Sequence, residues 1–138
     1  MDQGHALVKV LALDYGSART GVAVSDATGT IARPLCVVER AATPDGLKRL
    51  AALIDAEGAE RVVVGMPLTM RGERGEQALE TERFVGELRR ATSRPVETFD
   101  ERFTTDLAAQ TPSSAPEDAR AAAHLLSSYL TWSSSVGA

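Results

Sequence analysis

Apolar and polar positions change period repeatedly along this chain, and the changes mark out its elements. Residues 7 to 14, LVKVLALD, alternate apolar and polar, then run apolar and end on Asp14, the pattern of a strand with a buried end. YGSARTG sets two glycines among small polar residues and TGVAVSD alternates again, which predicts a turn and a second strand over residues 15 to 26. TIARPLCVVER then returns as a third antiparallel strand, with Pro34 tolerated at an edge or a bulge.

From Thr43 the period lengthens. Thr43 suits a helix cap, Pro44 its first position, and Leu47, Leu50, Ala51 and Ile54 follow at helical spacing until Gly58 stops the helix. RVVVG reads as a short buried strand of a parallel sheet. Residues 74 to 92 carry Ala78, Phe84, Val85 and Leu88 among Glu and Arg, an amphipathic helix. PVETFDER is a last strand ending in acid. A short helix is expected over 103 to 110, a Pro and Ser loop over 111 to 116, and a closing amphipathic helix in DARAAAHLLSSYL, with TWSSSVGA frayed. The order βββαβαβα predicts an α/β fold, a mixed five-stranded sheet flanked by helices, antiparallel at first and then built by right-handed parallel crossovers. A chain of 138 residues fits one domain over 1–138, with 1–6 and 131–138 as flexible tails.

Composition narrows the functional classes. The 43% hydrophobic and 25% charged content is ordinary for a globular chain, which excludes disorder throughout. No run approaches the roughly 20 apolar residues of a membrane helix and MDQGHALVKV lacks a signal peptide's apolar stretch, so no membrane role and a cytoplasmic location are expected. Cys36 is a single cysteine, which leaves neither a disulfide scaffold nor a zinc constellation with His5 and His124. Fifteen basic against nineteen acidic residues give a net charge of −4, so any phosphate binding has to be local.

The acids fall where chemistry could sit. Asp14 ends the first strand, Asp100 and Glu101 end the last, and Asp118 opens the closing helix. Carboxylates converging from strand ends are oxygen ligands for a hard divalent cation, which can activate water and stabilise the leaving oxygen in phosphodiester hydrolysis. Each acid alone also has a plain structural reading. Asp14 could start a turn with Gly16, Asp100 and Glu101 could be solvated, and Asp118 could favour a helix N-terminus.

LALDYGSARTGVAVSDATGTIARPL, followed in order by RVVVGMPLTMRGERG and VETFDERFTT, resembles the YqgF or RuvX family of RNase H-like nucleases, over about Leu11 to Leu130. The resemblance implies an RNase H-like fold and a nuclease of the 5′ end of pre-16S rRNA in ribosome biogenesis, in a family formerly described as Holliday junction resolvases. By the same resemblance the catalytic and metal-binding acids are Asp14, Glu101 and Asp118, holding one or two Mg²⁺ or Mn²⁺ ions. Asp14 would bridge or hold the metals, Glu101 would complete their coordination, and Asp118 would bind one ion and help orient water. TPSSAPED is short and has no Lys or Arg where family members carry a longer basic segment, which removes one expected patch of positive charge.

Arg19, Arg71, Arg74 and Arg102 flank the three motifs as nucleic-acid contacts, with Thr104 as a further phosphate contact or, like Thr105, a helix cap. Backbone N–H groups around Gly16 and Gly72 could approach phosphates. Tyr15 and Phe103 could stack on a base but suit core packing better, Arg83, Arg89 and Arg90 suit ion pairs on a solvated helix, and His124 suits a structural role. The expected partners are RNA (pre-16S rRNA) or branched DNA, ribosomal assembly intermediates, and a second copy of the chain. Two rival functions remain: resolution of branched DNA at the same site, which needs a two-fold dimer, and a non-catalytic RNA-binding assembly factor. DYGSARTG also resembles the first phosphate loop of actin and sugar-kinase ATPases, which need a second such domain that 138 residues do not accommodate.

Overall fold

The strand and helix periods resolve into β1 (Val10–Asp14), β2 (Arg19–Ser25), β3 (Ala32–Glu39), α1 (Pro44–Glu57), β4 (Arg61–Met66), α2 (Glu76–Ala91), β5 (Val96–Asp100) and α3 (Glu117–Val136). The computed structural model describes residues 8–69, 71–101 and 115–136. The helix expected over 103–110, most of the loop expected over 111–116, and residues 1–6 lie outside the described residues. The sheet runs β3-β2-β1-β4-β5, antiparallel through the first three strands in sequence and parallel from β1 to β4 to β5. This is the mixed five-stranded α/β sheet that the element order predicts.

Local chemistry sets the element ends. The Thr43 hydroxyl accepts from the Gly46 N–H at 3.1 Å, Pro44 follows it, and Gly58 closes α1 at φ 68°, a left-handed conformation that costs glycine little. Pro34 lies on the edge strand beside a bulge: Val22 pairs Cys36 and Ala23 pairs Pro34, which leaves Leu35 as the extra residue.

Strand alternation divides the core into two layers. Leu11, Leu13, Val22, Val62, Val64 and Val96 face α1 and α2, where Leu50, Ile54, Phe84 and Leu88 meet them. Val10, Ala12, Ala23, Val63 and Phe99 point the other way, onto Ala122, Leu125, Leu126 and Tyr129 of α3. Near its C-terminal end α3 is tied to the sheet by polar contacts as well. The Tyr129 hydroxyl donates to Glu97 Oε2 at 3.0 Å and accepts from Arg61 at 3.1 Å, and Arg61 also pairs with Glu97.

Two expectations are corrected. The tail expected to fray over 131–138 is helical as far as Val136, because Trp132 joins a ring cluster with Phe99 and Tyr129 at centroid distances of 5.6 and 6.0 Å. Arg89 makes no ion pair among the described residues; its guanidinium donates twice to the Val96 carbonyl, at 2.7 and 3.1 Å, and so fixes the end of α2 to β5.

The opposite end of α3 lies directly on β2. A Cβ built at Gly21 would stand 1.8 Å from the Asp118 carbonyl oxygen, so only a glycine lets the first turn of α3 reach the sheet there. Backbone meets backbone at this point, and no side-chain rotation relieves the clash. Gly21→Ala should therefore push α3 off the sheet and cost about 1–3 kcal/mol or more, read as a lowered urea midpoint with the slope unchanged.

Candidate active site

Asp14 shares the α3 face of β1 with Val10 and Ala12, and its neighbours on both sides are glycines. It pairs directly with Gly21 of β2, and the Leu13↔Val64 register brings Gly65 of β4 opposite it. The carboxylate thus stands on a strip of bare backbone. On one side the strip admits the start of α3 with Asp118. On the other it admits Glu101, whose Oε2 would lie 2.7 Å from a Cβ at Gly65.

Alternation settles which acid of the DER motif enters the site. Phe99 faces α3, so Asp100, the last residue of β5, starts toward the α1/α2 face, while Glu101, just past the strand, lies over Gly65 on the α3 face. Strands β1 and β5 are not neighbours, yet the Glu101 carboxyl crosses the bare Gly65 position and donates a hydrogen bond to Asp14. Burial first, then the Asp14 charge and this hydrogen bond, with Asp100 last, push Glu101 up to about 7 from 4.5. Asp14 is also raised, by burial and then by the Asp118 charge, with the hydrogen bond from Glu101 working the other way.

Asp118 is held from the other side. Arg19 Nε lies 3.0 Å from Asp118 Oδ2. The turn behind Arg19 is narrow: a Cβ at Gly16 would meet the Arg19 carbonyl oxygen at 2.5 Å, and the buried Thr20 hydroxyl contacts the Gly16 N–H at 3.4 Å and donates to its carbonyl at 3.3 Å. Among the described residues no three ligating side chains close into a ready cation cage. The arrangement is a hydrogen-bonded pair, Asp14 with Glu101, and a third carboxylate near enough to repel Asp14 but turned to a guanidinium. The donor set fits a divalent cation: two partly desolvated carboxyl groups brought together, each raised by burial and then by another acid beside it, are oxygen ligands short of positive charge.

The expected nucleic-acid contacts divide. Arg71 is exposed at the loop after β4, on the same end of the sheet as the acids, with no carboxylate partner among the described residues. Arg74 is instead paired with Glu82 of α2. Arg102 and Thr104, with Phe103 and Thr105, lie outside the described residues. The Gly72 N–H, expected to approach phosphate, is taken by the Thr69 carbonyl at 2.8 Å in a turn where Gly72 has φ 83°. The Gly16 N–H is likewise turned toward Thr20. Tyr15 stacks on Phe84 at 4.4 Å and packs against the α1/α2 layer, the core role. His124 lies half-buried further along α3. The residues that sequence reasoning missed are Gly21 and Gly65. Their one signal was a glycine inside a strand pattern, which marks close approach without saying of what.

The RuvX family profile, described as a Holliday junction resolvase, matches residues 8–132, a stretch that contains all three acids. The chain belongs to the RuvX family. It is 48% identical over 101 residues to a Chloroflexus aurantiacus protein named "Putative pre-16S rRNA nuclease", an alignment covering 73% of this chain and 66% of that relative, just under two thirds of its length. A Geobacillus kaustophilus protein of the same name is 42% identical over 100 residues, covering 71% of this chain and 72% of its own. Among solved structures, T. thermophilus RuvC in complex with a Holliday junction substrate superposes with a TM-score of 0.65 at 16% identity, over 94% of this RuvX chain and 96% of the RuvC chain. That likeness bears out the RNase H-like fold.

The raised acids give this RuvX chain a definite pH dependence. Glu101 holds its proton in the fold to about pH 7 but loses it near 4.5 when unfolded, and Asp14 shifts the same way. The native state therefore binds more protons between these values, and stability without metal falls as pH rises from 5 to 8. Glu101→Gln, which keeps a neutral donor, should flatten most of that fall and leave the variant more stable than the parent at pH 8. Urea unfolding at both pH values, in EDTA, checks it.

Proposed function

We propose that this chain is a divalent-metal-dependent nuclease that hydrolyses phosphodiester bonds in maturing the 5′ end of pre-16S rRNA. The observation that carries the reading is the Asp14–Glu101 carboxyl pair over Gly65, with Asp118 beside it at the end of α3. The names of relatives at 42% and 48% identity support the RNA substrate. The family description favours branched DNA as the second reading.

Asp14 and Glu101 would hold a Mg²⁺ or Mn²⁺ ion, with Asp118 as a third ligand. The chemistry such an ion would supply is activation of water and stabilisation of the leaving oxygen. The protein's own part is to keep the acids fixed. Asp14 is the last residue of the central strand β1, Glu101 directly follows the last residue of β5, and Asp118 lies in the first turn of a helix held to the sheet at Gly21 and at Tyr129. Glu101 must give up the proton it shares with Asp14 to take an ion, so cation binding releases a proton. Arg71, which has no carboxylate partner among the described residues, would supply a guanidinium at the same end of the sheet for backbone phosphate, which positions the strand without reading its sequence.

The test presents the purified protein with a pre-16S rRNA 5′ fragment and a four-way DNA junction in parallel, with Mg²⁺, Mn²⁺ or EDTA. Cleavage of the RNA is expected with metal only. Asp14→Asn should lower it by more than about a hundredfold while the fold stays intact, since even residues one step removed from a metal cost 10- to 100-fold. Mg²⁺ or Mn²⁺ should also raise the melting temperature of the parent, more at pH 8 than at pH 5.5. Full cleavage in EDTA would remove the metal reading; cleavage of the junction alone would move the substrate to DNA; binding without cleavage of either would leave an assembly factor.

Binding itself should be sensitive to salt despite the negative net charge. Arg71→Ala should weaken RNA binding evenly across sequences and lower the slope of log affinity against log salt by about one. Filter binding over a salt series measures both.

A further inference from the structure

Arg19 differs from the other ion-paired cations among the described residues in that its partner is one of the three acids. It begins β2 on the face of Gly21, two positions from where α3 touches the sheet, and the narrow Gly16–Thr20 turn fixes its backbone. Its side chain is anchored at the base and 65% exposed, and its Nε lies 3.0 Å from Asp118 Oδ2. Asp118 is in turn near enough to Asp14 for the two charges to repel. Asp118 therefore has two possible partners, a guanidinium already present and a cation beside Asp14.

We propose that Arg19 is an exchangeable counter-ion of the site. It holds Asp118 at the edge while no divalent ion is bound, releases it when one arrives, and then turns its freed guanidinium to a phosphate oxygen of the nucleic acid. This inference rests on the metal-site reading given above. An exposed ion pair is weak and is easily exchanged for a doubly charged partner. While Asp118 holds the Nε edge, it offsets the guanidinium charge and blocks that edge for a two-pronged phosphate contact, so Arg19 binds phosphate more strongly once Asp118 has left it. Cation and nucleic acid then promote each other's binding through Arg19, and by linkage the promotion is equal in both directions. Arg19 is thus a positioning residue for Asp118 before it is a phosphate contact.

A static prop predicts the opposite sign. If Arg19 only holds Asp118 in a liganding position, its removal loosens the ligand and weakens cation binding. If Arg19 competes with the cation, its removal tightens binding. The experiment is a cycle of four full-length proteins, the parent, Arg19→Gln, Asp118→Asn and the double variant, each titrated with Mn²⁺ by calorimetry after a melt confirms that it is folded. Arg19→Gln should tighten Mn²⁺ binding about two- to fivefold, the range an exposed ion pair can return. In the Asp118→Asn background the same change should have little effect, because the exchange runs through that carboxylate. Weaker or unchanged Mn²⁺ binding in Arg19→Gln overturns the exchange, as does an equal gain in both backgrounds, which would be a through-space charge effect alone. A parent that binds no Mn²⁺ overturns the metal site itself and the exchange with it, whereas the other two failures leave the metal site standing.

Discussion

Three residues abreast on the sheet, Gly21, Asp14 and Gly65, decide what the rest of this fold can be. Neighbouring strands lie about 4.8 Å apart, so an acid from β5 has to cross roughly 10 Å to reach one on β1. It can do so only if the strand between them presents no side chain. Gly65 meets that condition, and the carboxyl of Glu101 occupies the space that a Cβ would otherwise take. Gly21 does the same for a helix, where backbone approaches backbone more closely than any side-chain layer would allow. Without these two bare positions the three acids, which come from two non-adjacent strands and a helix, would not meet.

The same strip explains the electrostatics. Bringing acids together and covering them with α3 raises the cost of their charges, and the shared proton on Glu101 is the response available without a cation. Ion pairs elsewhere in the molecule are of another kind: Arg33 and Lys9 share Glu57, Arg74 meets Glu82, and these serve the surface. The acid group draws on only one described guanidinium, through Asp118. An arrangement of buried acid left short of counter-charge lowers the stability of the protein as pH rises.

Much of this was legible in the sequence, and the division follows a physical line. Elements were legible because their signals are local: the Thr43 cap, Pro44, Gly58 and the period of the apolar residues all act within a few positions. Asp14 and Glu101 were legible as strand-end acids. What could not be read was register. Gly21 and Gly65 each look like an ordinary weak spot in a strand until pairing sets them on either side of Asp14. The pairing of Arg74 with Glu82 joins a loop to a helix and falls outside the spacing rules that hold within helices. The closing tail was misread for the same reason, since a polar run TWSSS gains its order from Phe99, far away in sequence. Asp100 and Glu101 were the intermediate case: strand alternation separates them, but only once Phe99 is known to face α3.

The far end of α3 completes the argument. Tyr129 lies eleven residues beyond Asp118, roughly 16 Å along the helix axis, and there it is held by Glu97, Arg61 and the rings of Phe99 and Trp132. A helix pinned at one end still swings at the other, and pinning at Tyr129 alone would leave Asp118 free to shift relative to Asp14. The contact at Gly21 removes that freedom, because it fixes the first turn against the sheet beside Asp14. The helix is thus held at two points that have different chemistry, an aromatic and hydrogen-bonded anchor at one end and a bare backbone contact at the other. The first supplies stability. The second supplies little burial of its own, and its effect is to set where the third carboxylate stands.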